Sequence, residues 1–263
     1  MPKITVKDIE INYEEEGTGP PVILVHGLSD DLTLWMPLTP ELSIYYRTIA
    51  IDVRGHGHTS KPDMSYSIKL FSEDLSGLVE KLKISQAHMT GFSMGGSIAQ
   101  QFALNHPEKV RSLVLLSAFS YVDSGLRNIL IGFRNSITEG GLPAFFDEAV
   151  KLTVTPEFAS ANSEAIARLR EVSVRINNPV AILHAIDACL GFDVKHKISK
   201  ISLRTLIVSG RNDILTPLHL AGQIHRSMDS SEWKIMENVG HNLLIPENTP
   251  ELTQIILRFL GHH

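Results

Sequence analysis

Along the chain, short runs of consecutive apolar residues alternate with longer stretches in which apolar residues recur every three or four positions. Val22-Ile23-Leu24-Val25 is the first such run, bounded by Gly17-Thr18-Gly19-Pro20-Pro21 and by His26-Gly27. An unbroken apolar run of this length matches a strand buried on both faces, as in a parallel sheet. Runs at 47–51, 87–90, 110–116, 205–208 and 233–236 repeat the pattern. Between them, 67–82 carries Leu70, Phe71, Leu75, Leu78, Val79 and Leu82 at helical spacing. Residues 93–105 are small and apolar, which suits a helix packed on a sheet. Thr216-Pro217 reads as an N-cap and a first-turn proline opening a helix over 218–228, and Thr249-Pro250-Glu251 repeats that signal before a last helix ending near 260. Two alternating runs, 4–6 and 9–13, flank Lys7-Asp8 and predict a hairpin. Strand and helix in alternation predict an α/β fold with a parallel, doubly wound sheet and right-handed crossovers.

The alternation stops between residues 119 and 198. Helical spacing continues there over 142–152, 163–176 and 179–190, interrupted at Gly140-Gly141 and Thr155-Pro156, with no buried-strand pattern. An all-helical insert in a parallel α/β chain predicts a lid above the carboxyl edge of the sheet, where open α/β sheets bind ligands. The expected organisation is therefore a core made of 1–118 and 199–263 and a helical cap over 119–198.

Composition narrows the function classes. The chain has 263 residues, 43% hydrophobic and 20% charged, with a net charge of −5 and no long run of one sign. That balance predicts a globular core and argues against a nucleic-acid partner. No apolar stretch approaches the ~20 residues that span a bilayer, and the opening residues alternate polar and apolar positions unlike a secretory leader. One cysteine, Cys189, forms no internal disulfide and suits a reducing compartment. The expectation is a soluble cytoplasmic protein without a membrane partner, with homodimerisation left open. The closing His262 and His263 are set apart from the chemistry.

Gly91-Phe92-Ser93-Met94-Gly95 matches G-x-S-x-G between an expected strand and an expected helix. That is the context in which a serine is forced into a strained turn with its hydroxyl exposed. A serine nucleophile needs a base, and the base an orienting carboxylate, in the chain order Ser, acid, His. His241 lies in Asn238-Val239-Gly240-His241-Asn242, just after the last strand, and Asp213 follows the strand at 205–208. Both fall at the carboxyl edge beside Ser93. His219 and His225 fall within a helix instead. Asp187 and Asp193 are rival acids, but they lie in the insert with no strand to place them. An oxyanion hole needs two convergent amides: Met94, after the nucleophile, and Leu28, in the loop after the first buried strand.

His26-Gly27, Asp52-Val53-Arg54-Gly55-His56-Gly57, Gly91-Phe92-Ser93-Met94-Gly95-Gly96, Asp213 and Gly240-His241 together resemble the α/β-hydrolase superfamily. The likeness covers 1–118 and 199–260, with the insert in the place of the variable cap. It implies an eight-stranded, mostly parallel sheet with the cap inserted after the sixth strand. It also implies a Ser93–His241–Asp213 triad with Leu28 and Met94 as oxyanion donors, and no metal or other cofactor. In the family the segment around His56 is structural, so neither His56 nor His58 is counted as catalytic. A serine at 93 argues against the branches that use a carboxylate nucleophile. Phe92 stands where the carbon–carbon hydrolases of ring cleavage often have asparagine. Carboxylesterases and the 3-oxoadipate enol-lactonase group remain, and Val154-Thr155-Pro156-Glu157-Phe158 is similar to the latter. The expected partner is a small ester or lactone. A lactone bearing a carboxylate would want a cation near the cap, for which Arg127, Arg134, Arg168, Arg170, Arg175 and His184 are available. Some proteins of this likeness keep the triad yet act as ligand receptors with little turnover. The choice of base is tested by kcat/KM on a p-nitrophenyl ester: His219→Ala is expected to stay within about threefold of wild type, whereas His241→Ala loses at least ~100-fold. Equal losses would mean that the wrong histidine was chosen.

Overall fold

In the computed structural model, which describes residues 2–261, eight strands form one sheet. His262 and His263, set apart above, lie outside the described residues. The strands are β1 (Lys3–Val6), β2 (Ile9–Glu16), β3 (Pro21–Val25), β4 (Arg47–Ile51), β5 (Ala87–Phe92), β6 (Val110–Leu116), β7 (Thr205–Gly210) and β8 (Ser231–Met236). Their order is β1-β2-β4-β3-β5-β6-β7-β8. Only β2 runs against the rest, pairing antiparallel with β1 and β4. The chain leaves β4 on one side of β3 and returns as β5 on the other, so the sheet reverses direction at β3. Loops leaving β3 and β5 therefore face a shared crevice at the carboxyl edge.

The unbroken apolar runs serve both faces of this sheet. Ile23 and Val25 pack with the larger cluster, beneath α2 (Ile68–Lys81), α3 (Met94–Asn105) and α8 (Leu218–Ser227). Val22 and Leu24 join Trp35 and Leu42 on the opposite face, with α1 (Thr39–Leu42) and α9 (Thr249–Leu260). The edge strand β8 departs from expectation. It starts at Ser231, and its residues alternate, with Glu232 and Lys234 exposed. Strand β8 has no outer neighbour, so one flank needs no apolar cover, and charged side chains there blunt edge pairing.

Two expected helix caps are also corrected. Helix α8 begins at Leu218, and the Thr216 side chain bonds elsewhere. Helix α9 begins at Thr249 itself, whose hydroxyl donates back to the Ile245 carbonyl instead of capping the turn ahead. By contrast Ser67 does cap α2, accepting from the Leu70 amide at 3.0 Å.

Between β6 and β7 lie α4 (Ser124–Thr153), α5 (Pro156–Ala161), α6 (Ser163–Ile176) and α7 (Pro179–Leu190). Helix α4 is broken at Gly141, whose φ of 69° lies in the region that favours glycine. The Thr155-Pro156 break proves to be the start of α5, with Thr155 capping the Phe158 amide and proline at the first position. Apolar faces of α4 and α7 (Leu126, Leu130, Phe133, Ile182, Ala185, Ile186) merge with the larger core cluster.

In the loop after β4, Arg54 is fully enclosed and forks to Asp74 (2.7 and 2.8 Å) and to the half-exposed Asp8 (2.8 and 2.7 Å). Asp52 accepts from Asn12, from the Leu32 amide and from the His58 amide, tying β2 to the loops after β3 and β4. These bonds give the segment around His56 a structural use.

Burial holds His26, His56 and His88 neutral, lowering His56 to about 3 and His88 to about 4 and depressing His26 in the same direction. An unfolded histidine titrates near 6.5, so between the two values the unfolded chain binds the extra protons. Their stabilisation is complete above about pH 6.5 and falls as pH drops toward the folded values, by about 1.4 kcal/mol per pH unit for each group. Asp30, pushed up to about 7, works in the opposite sense. Urea unfolding of wild type against His88→Gln isolates one histidine: the wild-type stability should fall about 1.4 kcal/mol further between pH 6 and pH 5. Parallel curves would contradict this.

Candidate active site

Ser93 sits between the end of β5 and the start of α3 with φ 51° and ψ −115°, a left-handed conformation that a serine rarely adopts. Its amide is held by the Leu116 carbonyl at 2.9 Å, which continues the β5–β6 ladder through the turn. The flanking glycines are steric requirements. A Cβ on Gly95 would stand 2.0 Å from the Val25 carbonyl oxygen, and one on Gly91 would stand 2.3 Å from that of Gly95. This contact sets the first turn of α3 directly against the end of β3.

The expected acid and base, Asp213 and His241, lie just after two neighbouring strands, β7 and β8. His241 Nδ1 lies 2.8 Å from Asp213 Oδ2, and both side chains are almost wholly buried. Because the carboxylate accepts there, the proton sits on Nδ1 and Nε2 is left with its lone pair. Asp213 is itself held by the Leu215 and Thr216 amides on Oδ1, at 2.9 and 2.8 Å, and by the Thr216 hydroxyl on Oδ2 at 2.7 Å. The Thr216 hydroxyl also stands 3.0 Å from His241 Nδ1 and from the Ser117 carbonyl, while Ser117 Oγ donates to the His241 carbonyl at 2.8 Å. The Phe92 ring backs the imidazole at 5.1 Å.

On the other side, the Val53 amide donates to His26 Nε2 at 3.1 Å, so the His26 proton is on Nδ1, which donates to the Gly27 carbonyl at 2.7 Å. That carbonyl and the Leu28 N–H belong to one planar trans peptide and point in opposite directions. His26 therefore orients the Leu28 amide. Among the described residues neither the Leu28 nor the Met94 amide is engaged in a backbone hydrogen bond.

Ser93, Leu28, Met94 and His241 all line one cavity of about 540 Å³. The remaining wall is mostly apolar: Phe119, Leu126, Leu130, Phe133, Phe145 and Phe146 from the insert, with Leu215 and Leu244 from the core. Ile129, Leu142, Ile182, Leu183 and Ile186, also apolar residues of the insert, are not part of it. No Lys or Arg side chain lines the cavity among the described residues. The expected cations are engaged elsewhere or simply distant: Arg134 pairs with Asp187, Arg168 with Glu164, Arg170 with Asp147 and His184 with Asp63. That pairing also places the rival acid Asp187 at the surface, and Asp193 bonds the Lys195 amide. His219 pairs with Asp123 at 2.7 Å, and His225 bonds Ser231.

The insert is tied to both loops of this site. Asn177, between α6 and α7, donates to the Ser29 carbonyl at 2.9 Å, and the Asn242 amide donates to the Thr153 carbonyl at 2.8 Å. Sequence reasoning missed Asn177 and Thr216. For Thr216 a signal existed: Asp and Thr three positions apart form the side-chain-to-amide turn seen here.

A family profile described as "alpha/beta hydrolase fold" matches residues 20–247. This chain belongs to that family. A 2-hydroxy-6-oxo-2,4-heptadienoate hydrolase of Pseudomonas putida is 29% identical over 91% of this chain and 89% of its own length. A pimeloyl-[acyl-carrier protein] methyl ester esterase of Aeromonas hydrophila is 26% identical over 96% and 100%. The crystal structure of an enol-lactonase from Burkholderia xenovorans superposes with a TM-score of 0.93 at 23% identity, covering 99% and 100% of the two chains, which shows the shared fold. The chain is thus a hydrolase of the α/β-hydrolase superfamily.

Loss of the Thr216 hydroxyl removes one hydrogen bond from the Asp213 carboxylate, and a net hydrogen bond is worth about 1–1.5 kcal/mol. Thr216→Val is therefore expected to slow labelling of Ser93 by a fluorophosphonate about tenfold. Labelling at the wild-type rate would show that Thr216 does not support the pair.

Proposed function

We propose that this hydrolase cleaves carboxylic esters through an acyl-enzyme on Ser93, with His241 as base and acid, Asp213 as its orienting carboxylate, and the Leu28 and Met94 amides as the oxyanion hole. The observation that carries the reading is the strained Ser93 turn opening, beside the buried His241–Asp213 pair, into an apolar cavity. Residues 119–198 act in it as a cap that supplies the acyl pocket.

In the first half-reaction Ser93 Oγ bonds to the ester carbonyl carbon while its proton passes to His241 Nε2. The carbonyl oxygen becomes an oxyanion between the two amides. The intermediate collapses as the C–O bond to the alcohol breaks, and the imidazolium returns its proton to that leaving oxygen. Water then attacks the acyl carbon, giving its proton to Nε2, and the acid departs as Oγ is reprotonated. Every group needed belongs to the chain. Asp213 holds the Nδ1–H tautomer throughout and stabilises the imidazolium.

An ester of modest, apolar acyl group fits the cavity's lining and size. A lactone is opened by the same steps, with the leaving oxygen kept in the product. The absence of Lys and Arg from the lining, among the described residues, weighs against a carboxylate-bearing enol-lactone. A receptor with a dormant triad would turn over once or not at all.

The test is Ser93→Ala assayed with p-nitrophenyl esters of increasing acyl length, neutral lactones and a ring-cleavage diketone. Wild type is expected to turn over short and medium esters repeatedly, and Ser93→Ala to lose at least ~1000-fold with unchanged circular dichroism. Near-wild-type turnover by the variant would overturn the assignment. Preferential cleavage of the diketone would replace esterase with carbon–carbon hydrolase.

A further inference from the structure

Asp30 is a carboxyl in an apolar acyl pocket that the proposed mechanism does not use. It lies in the loop after β3, two residues beyond Leu28, and lines the same cavity as Ser93 and His241. Its Oδ2 stands so close to Gly27 that a Cβ there would be 2.8 Å away, so the carboxyl lies against the loop that carries the Leu28 amide. Asp31, its neighbour, uses its carboxylate to cap a short turn, accepting from the Thr33 amide at 2.8 Å and from the Thr33 hydroxyl at 2.5 Å. Among the described residues Asp30 caps no helix and pairs with no Lys or Arg, and its carboxyl bonds the backbone of Gly27. A carboxyl that has no ion pair to neutralise it, yet lines the cavity beside Ser93, is placed to act on the substrate.

We infer that Asp30 sets the charge of the acyl group this pocket accepts, admitting neutral and cationic acyl groups and rejecting those that carry a carboxylate. The inference rests on the reading of Ser93 as the nucleophile. In a cavity walled by aliphatic and aromatic side chains, two like charges are poorly screened, and no Lys or Arg among the described residues lines the wall to offset them. The charged or titratable groups facing Asp30 are Asp31 on its own loop and His241 across the crevice; the insert adds no charged side chain to the lining.

Burial, with help from Asp31, pushes the Asp30 carboxyl up to about 7, while His241 opposes the rise. The selection therefore strengthens with pH: Asp30 is mostly neutral at pH 6 and mostly charged at pH 8.

The experiment compares kcat/KM for two esters of one shape, p-nitrophenyl methyl adipate (neutral) and p-nitrophenyl hydrogen adipate (anionic), from pH 5.5 to 8.5. A pH effect on the hydrolytic machinery shared by both esters cancels in the ratio. For wild type the neutral-to-anionic ratio should rise about tenfold from pH 6 to pH 8, and the cationic p-nitrophenyl 6-aminohexanoate should gain over the same range. In Asp30→Asn the ratio should be flat and stay near the wild-type value at pH 6. Asp30→Ser is the second variant, and thermal unfolding reports that each is folded. A flat wild-type ratio, or a rise that survives in both folded variants, overturns the inference. Turnover of neither ester in a Ser93-dependent manner overturns the hydrolase reading beneath it, so the two failures are distinguishable.

Discussion

The whole site hangs on one steric contact, the approach of the first turn of α3 to the last residue of β3. With 2.0 Å between the Val25 carbonyl and the Cβ that Gly95 lacks, any side chain at 95 would push the turn away from the strand. With α3 held so close, Ser93 is lifted into a conformation its own residue type disfavours. Strain of that kind costs about 1–3 kcal/mol and persists only when the surroundings over-determine it. Here they do: Ser93 is held by the β5–β6 ladder behind it and by helix bonds ahead of it.

The polar chemistry around this contact is organised by burial. His26, Asp52, Arg54, Asp213 and His241 are nearly or wholly buried, and each is bonded by groups from other strands or loops. Such networks are costly when half satisfied, so they pin the loops that carry them. The insert adds two more ties, through Asn177 and Thr153, to the loops that carry Leu28 and His241. The insert thus lines the cavity and ties down the loops that carry Leu28 and His241. Asp30 is the exception within the pocket, a carboxyl with no Lys or Arg partner among the described residues.

Much of this could be read along the chain. Apolar runs located the five inner strands β3 to β7 because a sheet covered on both faces leaves little room for alternation, whereas β1, β2 and β8, toward the edges, alternate. Ser93, Asp213 and His241 were legible because each follows a strand, and strand ends in a parallel sheet converge on one edge. Thr216 was misread. A threonine before a proline looks like a helix cap in sequence, and whether its hydroxyl turns forward to the helix or back to Asp213 depends on where the Ser117 carbonyl and His241 stand. Thr249 failed as a cap for a related reason, its hydroxyl bonding one turn back to Ile245.

Local propensity and periodicity therefore determined the elements, their order and the three residues at strand ends, since those follow from the chain's own spacing. Which residues of the insert line the cavity, that its arginines stay out of the lining, and that Asp30 joins it, were decided by tertiary packing. A helix shows its spacing in sequence but not its rotation against a partner. That rotation is set by which apolar faces, such as those of α4 and α7, find a core to join.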